Sequence, residues 1–125
     1  MFNIKLDPNE SIHDQICGEI SRLISLGILG PDEKLPAVRE TAKELGVSPN
    51  TVQKAYASLE KSGLIYSLSA KGSYVSSGGK AAEAVKNEAA GALRSAVQKA
   101  AETGVDRETV EKIVNEIYGK KGRNL

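Results

Sequence analysis

Apolar positions in this chain fall mainly into helical stripes, broken near the middle by two short strand-like segments. Ile12, Ile16, Ile20, Leu23 and Ile24 recur at three- and four-residue spacing, which predicts a first helix begun at Ser11 or Asn9 and stopped at Leu26-Gly27. Ile28-Leu29 then runs into a turn at Gly30-Pro31-Asp32, and Leu35-Pro36 leads to a short second helix over about 37–45. Val38, Ala42 and Leu45 give that helix an inner face and leave Arg39, Lys43 and Glu44 outside. After Gly46-Val47, Ser48 is placed to cap a third helix and Pro49 suits its first position, where no intrahelical donor is needed. Val52, Ala55, Tyr56 and Leu59 form its buried stripe, Gly63 offers a left-handed stop, and Asn50, Thr51, Gln53 and Lys54 are left pointing outward. Two helices joined by a short glycine-containing turn, the second with a polar leading edge, predict a helix-turn-helix.

The segments Leu64–Leu68 and Ser73–Val75 are strand-like in residue type, with a turn at Ser69-Ala70-Lys71-Gly72 between them. A lone hairpin is marginal in water, so this wing must pack on the helices, with Leu64, Ile65 and Val75 as its inward contacts. Phe2 to Leu6 alternates and predicts an extended arm or edge strand, with Phe2 and Ile4 lying on something apolar.

Ser76-Ser77-Gly78-Gly79 reads as a linker by composition, which divides the chain into a domain over 1–77 and an extension over 78–125. In the extension, Ala82 to Ala100 describes a long helix with a shallow, mostly alanine face, broken at Thr103-Gly104. Asp106 can cap a last helix, with Val105 and Val110 placed as a hydrophobic staple. An alanine face buries little against its own domain but admits another helix closely. A two-fold homodimer is therefore expected, with Val85, Ala89, Leu93, Ala96, Val110, Ile113, Val114 and Ile117 at its seam. So short a helix pair leaves little room for an enclosed ligand site, and a small-molecule effector at the seam is left open.

The net charge of +1 gives no overall basic footprint. Residues 1–79 hold eight Lys and Arg against nine Asp and Glu, whereas 48–77 hold Lys54, Lys61 and Lys71 against Glu60 alone. Positive charge is thus concentrated, thinly, around the third helix and the wing. Cys17 has no second cysteine to pair with and reads as a small half-buried hydrophobe in a reducing cytosol. His13 reads as a surface or boundary histidine rather than a metal ligand or catalytic base. With no phosphate loop, metal spacing or nucleophile–base pair, neither an enzyme nor a cofactor is expected. No apolar run approaches the roughly 18 residues of a membrane span and no secretory signal opens the chain, so a cytoplasmic protein is expected.

Several separated blocks resemble, in order and spacing, the DNA-binding domain of GntR-family bacterial transcription regulators. They are Leu35-Pro36-Ala37-Val38-Arg39-Glu40, Leu45-Gly46-Val47-Ser48-Pro49-Asn50-Thr51-Val52, Ala55-Tyr56, Leu59-Glu60, Gly63-Leu64-Ile65 and Lys71-Gly72-Ser73-Tyr74-Val75. The wording around Pro49 is most similar to the small YtrA-like branch, whose members carry only a short helical extension. The resemblance implies a mostly α fold with a small β wing, a winged helix-turn-helix domain followed by a two-helix dimerisation extension. It also implies a regulator, expected to repress, that binds a palindromic operator in double-stranded DNA as a homodimer. Arg39 would then contact a guanine or a phosphate. Ser48, Asn50, Thr51, Gln53 and Lys54 would divide between phosphate and base edges, with Lys71 and Gly72 at the wing. The rival reading is a winged helix used for protein contacts. Three departures stand out. Ala37 replaces a helix-capping serine, Thr41 a larger hydrophobe, and Ala70 a wing glycine.

Overall fold

Helices α1 (Ile12–Ser25), α2 (Val38–Leu45) and α3 (Pro49–Lys61) precede an antiparallel hairpin of β1 (Ile65–Leu68) and β2 (Gly72–Val75), after which come α4 (Lys80–Glu102) and α5 (Arg107–Gly122). The computed structural model describes residues 2–122. Of the two candidate caps for α1 it is Ser11 that serves, its hydroxyl accepting from the Asp14 amide at 3.2 Å. Ser48 does the same for α3 through the Thr51 amide. Ala37 offers α2 no side-chain cap, as its methyl dictates.

α3 packs against both α1 and α2. Ile16 and Ile20 from α1 and Val52 and Ala55 from α3 are wholly buried, joined by Leu29, Leu35, Ile65 and Val75. Each large aliphatic side chain sequestered this way contributes roughly 1.5–3 kcal/mol. Gly46 ends α2 with φ 70°, a left-handed conformation that glycine adopts without penalty, and Val47 returns its amide to the Ala42 carbonyl at 3.0 Å. That turn sets α3 against α2. Phe2 is buried in the same core and its amide donates to Glu44 Oε1 at 3.1 Å, so the N-terminal segment is an arm laid on the helices and forms no strand.

The two-stranded wing is flanked by a third, bridged segment. Leu64, Ile65 and Val75 are buried, as the pattern predicts. Residues 32–35 run along the outer edge of β2, with the Asp32 amide donating to Val75 O, Val75 to Glu33 O and Leu35 to Ser73 O at 2.8–2.9 Å, and Lys34 opposite Tyr74. Leu35 therefore faces the core, while Lys34 shares the other face with Tyr74 and its cross-strand partner Tyr66, whose rings stack 5.5 Å apart.

The stretch after the wing is anchored. The Ser76 hydroxyl donates to Gly63 O at 2.7 Å, and Ser77 donates to Asp32 Oδ1, which also accepts from the Tyr66 hydroxyl. Those bonds, Ser77's first, hold the Asp32 carboxyl below the usual carboxylate range. Beyond it Ala81 is buried and Ala82 and Val85 are half-buried against the winged-helix core. The first compact unit extends to Lys86, past the Ser77 boundary that linker composition suggests, and the second begins at Asn87. In that second unit Asp106 caps α5 through the Thr109 amide at 2.9 Å, and Val105 and Val110 border a notch shared with Val97 and Ala101. No helix among the described residues is long and apolar enough to cross a membrane.

Candidate nucleic-acid interface

Along α3 exposure follows the helical period: Val52, Ala55, Tyr56 and Leu59 are buried, whereas Asn50, Gln53 and Lys54 stand in solvent. Thr51 is half-buried and its hydroxyl lies 3.0 Å from that of Ser48, so these two side chains complete the N-terminus of the helix between them. No acidic residue occupies the first turn of α3, so the partial positive charge of the helix dipole at that end is not offset there. Among the described residues, the side chains of Asn50, Gln53, Lys54 and Arg39 make no hydrogen bond or ion pair, and Arg39 in particular is not tied to Glu40 or Glu44. Two amides and two cations are thus exposed on adjoining helices with their hydrogen-bonding capacity unspent.

A buried polar cluster holds α2 in place. Tyr56, on α3, donates its hydroxyl to the Pro36 carbonyl at 2.8 Å, and Thr41, on α2 and 1% exposed, lies 3.1 Å from the same oxygen. Since the single tyrosine proton goes to Pro36, the threonine must donate to the tyrosine. Desolvation pushes the Tyr56 phenol above its usual range, with Thr41 opposing. The threonine that stands in place of a larger hydrophobe is therefore a hydrogen-bonding partner. It fastens the start of α2, and with it Arg39, to α3.

The wing tip also departs from the glycine-rich expectation. Lys71 donates its amide to Leu68 O at 3.0 Å, closing a turn whose third residue, Ala70, has φ 63°. Ala70 thus takes the left-handed conformation itself, at a cost of about 1–2 kcal/mol relative to glycine. Tyr74 steadies the tip by donating to Lys71 O at 3.2 Å. Lys71 and Gly72 are exposed there, and β1 links the wing to α3. Lys34, not legible in the sequence because the bridged segment that carries it is too short to show a period, reaches across the wing: a Cβ on Gly72 would meet its Cε at 3.1 Å.

His13 is half-buried and bridges α1 to α3, with Nε2 2.8 Å from Ser58 Oγ and Nδ1 2.9 Å from Asp14 Oδ1. The order of groups resembles a hydrolase triad. Ser58, however, lies inside α3, where the neighbouring amides are consumed by the helix and cannot form an oxyanion hole. Cys17, whose Sγ donates to Ala55 O at 3.5 Å, has its thiol pushed up by burial and, secondarily, by Asp14. It is a packed thiol rather than a reactive one. No group of His, Cys, Asp and Glu among the described residues could hold a metal.

Of the residues expected at a dimer seam, Val85 is partly engaged by the winged-helix core and Val110 is half-buried. Ala89, Leu93, Ala96, Ile113, Val114 and Ile117 are exposed, Leu93 by 58% and Ile117 by 76%.

A three-helix core, an α2–turn–α3 pair with a polar outer face and a sheet wing packed against it define a winged helix-turn-helix protein. Residues 12–75 match the family described as bacterial regulatory proteins, gntR family, and the chain belongs to that family. It is a family of regulators, not of enzymes. The chain is 43% identical over 79 residues to the HTH-type transcriptional repressor YtrA of Bacillus subtilis, an alignment covering 62% of this chain and 61% of that protein. A GntR family transcriptional regulator from Listeria monocytogenes superimposes with a TM-score of 0.78 at 30% identity, covering 89% of this chain and 98% of that one. The DNA-binding domain of AraR in complex with operator ORX1 superimposes with a TM-score of 0.52 at 32% identity, covering 58% of this chain and 93% of that one.

Proposed function

We propose that this protein is a sequence-specific DNA-binding transcriptional repressor that grips a palindromic operator as a homodimer. The observation that carries the reading is the outward face of α3, where Asn50, Gln53 and Lys54 are exposed without intramolecular partners beside the equally unpaired Arg39. Amides and guanidinium groups match the donor and acceptor pattern of base edges in the major groove, and lysine neutralises phosphate. Ser48 and Thr51 present the capped helix end, a site suited to a backbone phosphate, and Lys71 and Gly72 offer a second contact from the wing. The YtrA likeness supports repression, and the AraR–operator complex supports duplex DNA as the target.

The dimer rests on exposed apolar side chains in the second unit. Leu93, Ile113, Val114 and Ile117 are more apolar surface than a helix pair leaves in water, and a second copy of the same helices would cover it. Two linked half-site contacts then multiply affinity through effective concentration. Selection of bound fragments from random duplex DNA at two salt concentrations tests the whole reading. Enrichment of an inverted repeat, with affinity falling as salt rises, is expected. Binding indifferent to both sequence and salt would point instead to a winged helix that contacts protein.

A further inference from the structure

Lys34 lies outside the helix-turn-helix and outside the wing hairpin, yet its side chain is placed between them. Its backbone is paired with Tyr74 in β2, and its Cε would lie 3.1 Å from a Cβ on Gly72, with Nζ at 4.0 Å. The ammonium is therefore carried to the wing tip beside Lys71. Along the chain, Leu35-Pro36-Ala37 leads directly from Lys34 into the start of α2 and Arg39. Glu40 and Glu44 share with Lys34 an open groove of about 400 Å³ at the start of α2, but neither forms an ion pair with it. Gly72 is what admits the lysine: with φ 109° and no side chain, it leaves the strand surface clear for the four-carbon stem.

We infer that Lys34, carried over Gly72 by the segment that leads from the edge of β2 into α2, is a DNA-backbone contact of each protomer beside the wing. This rests on the DNA-binding reading. It adds a residue that no helix-turn-helix or wing pattern singles out, and it assigns that residue to phosphate rather than to bases. An ammonium at the end of a flexible stem, with no planar donor fork, acts as a point charge, so Lys34 contributes affinity but not sequence preference.

The test measures binding of full-length wild type, Lys34→Met and Lys34→Arg to a selected operator duplex and to a scrambled duplex across a salt series. Methionine keeps an apolar stem over Gly72 and removes the charge. Lys34→Met is expected to weaken both duplexes alike by roughly tenfold or more at low salt. The slope of log affinity against log salt should fall by about 0.9 for each Lys34 engaged, while Lys34→Arg keeps the wild-type slope. Thermal unfolding of each variant checks that the fold is retained. An unchanged slope in Lys34→Met overturns the inference, whether affinity is kept or lost, because a loss without a slope change marks the stem as a mere support for the wing. A change in operator preference overturns the assignment to phosphate. If wild type itself shows no salt-dependent binding to either duplex, the DNA-binding reading fails and the role of Lys34 fails with it.

Discussion

The winged helix and the helix pair that follows it use hydrophobic residues in opposite ways. In the first unit, Ile16, Ile20, Val52, Leu59 and Val75 are buried in one cluster to which even the arm contributes Phe2, and among the described residues the large apolar side chains left exposed there are Leu26, Ile28 and Leu68. In the second, Leu93, Ile113, Val114, Ile117 and Tyr118 remain exposed, and Val97, Val105 and Val110 cover only part of one another. Such a contrast inside one chain separates residues that specify a fold from residues available for association. It also says where a mutation will be felt. On the proposed dimer, a change in the buried core of the first unit is expected to act on stability, whereas a change on the exposed apolar face of the second is expected to act on association.

The largest effect is expected from Ile113→Asp, which would bury a carboxylate in the proposed seam at a cost of several kcal/mol. Sedimentation should show monomers at micromolar concentration while the winged helix stays folded by circular dichroism. A monomeric wild type, or a dimeric 1–86 fragment, would move the interface elsewhere. Next is Tyr56→Phe, which deprives the Pro36 carbonyl and the Thr41 hydroxyl of their partner together. It should destabilise the first unit by about 2–3 kcal/mol in denaturant titrations and leave the association constant unchanged. Arg39→Ala should alter neither unit, and yet cost about 1–3 kcal/mol of operator affinity and relax preference at one base pair in each half-site. Equal affinity for the selected operator would remove Arg39 from the interface. The smallest effect belongs to Ala70→Gly, which relieves a left-handed alanine and should raise stability by up to about 1 kcal/mol.

Much of the first unit was legible in the sequence because its signals are local and redundant. Ser48, Pro49 and Gly63 delimit α3 by their own chemistry, and the four-residue stripe from Val52 shows which side is buried. What escaped was carried by contacts distant in sequence. The segment 32–35 is too short to display alternation, and it lies extended along β2 because β2 lends it hydrogen-bond partners. The arm at Phe2 has a strand-like pattern, but its partner is a helix surface. That the start of α4 packs on the winged helix was not legible, because Ala81, Ala82 and Val85 continue the same shallow stripe as the rest of α4, and nothing in residue type tells a position packed on the winged helix from one facing outward. At the candidate interface, the exposed face of α3 followed from periodicity. Lys34 did not, since its place is set by a glycine distant along the chain. Thr41 showed itself only as an oddity until the hydroxyl of Tyr56 was seen beside it.

That pair constrains how the sequence can drift. Losing the threonine first, by Thr41→Val, removes one donor and leaves the tyrosine still bonded to Pro36, a change on the order of 1 kcal/mol. Losing the tyrosine hydroxyl first strands both a carbonyl and a buried hydroxyl, which is dearer by about another hydrogen bond. The two positions are therefore expected to change in a fixed order. A lineage leaving this arrangement for an apolar one passes through valine at 41 with tyrosine at 56, and lineages with threonine at 41 and phenylalanine at 56 should be scarce.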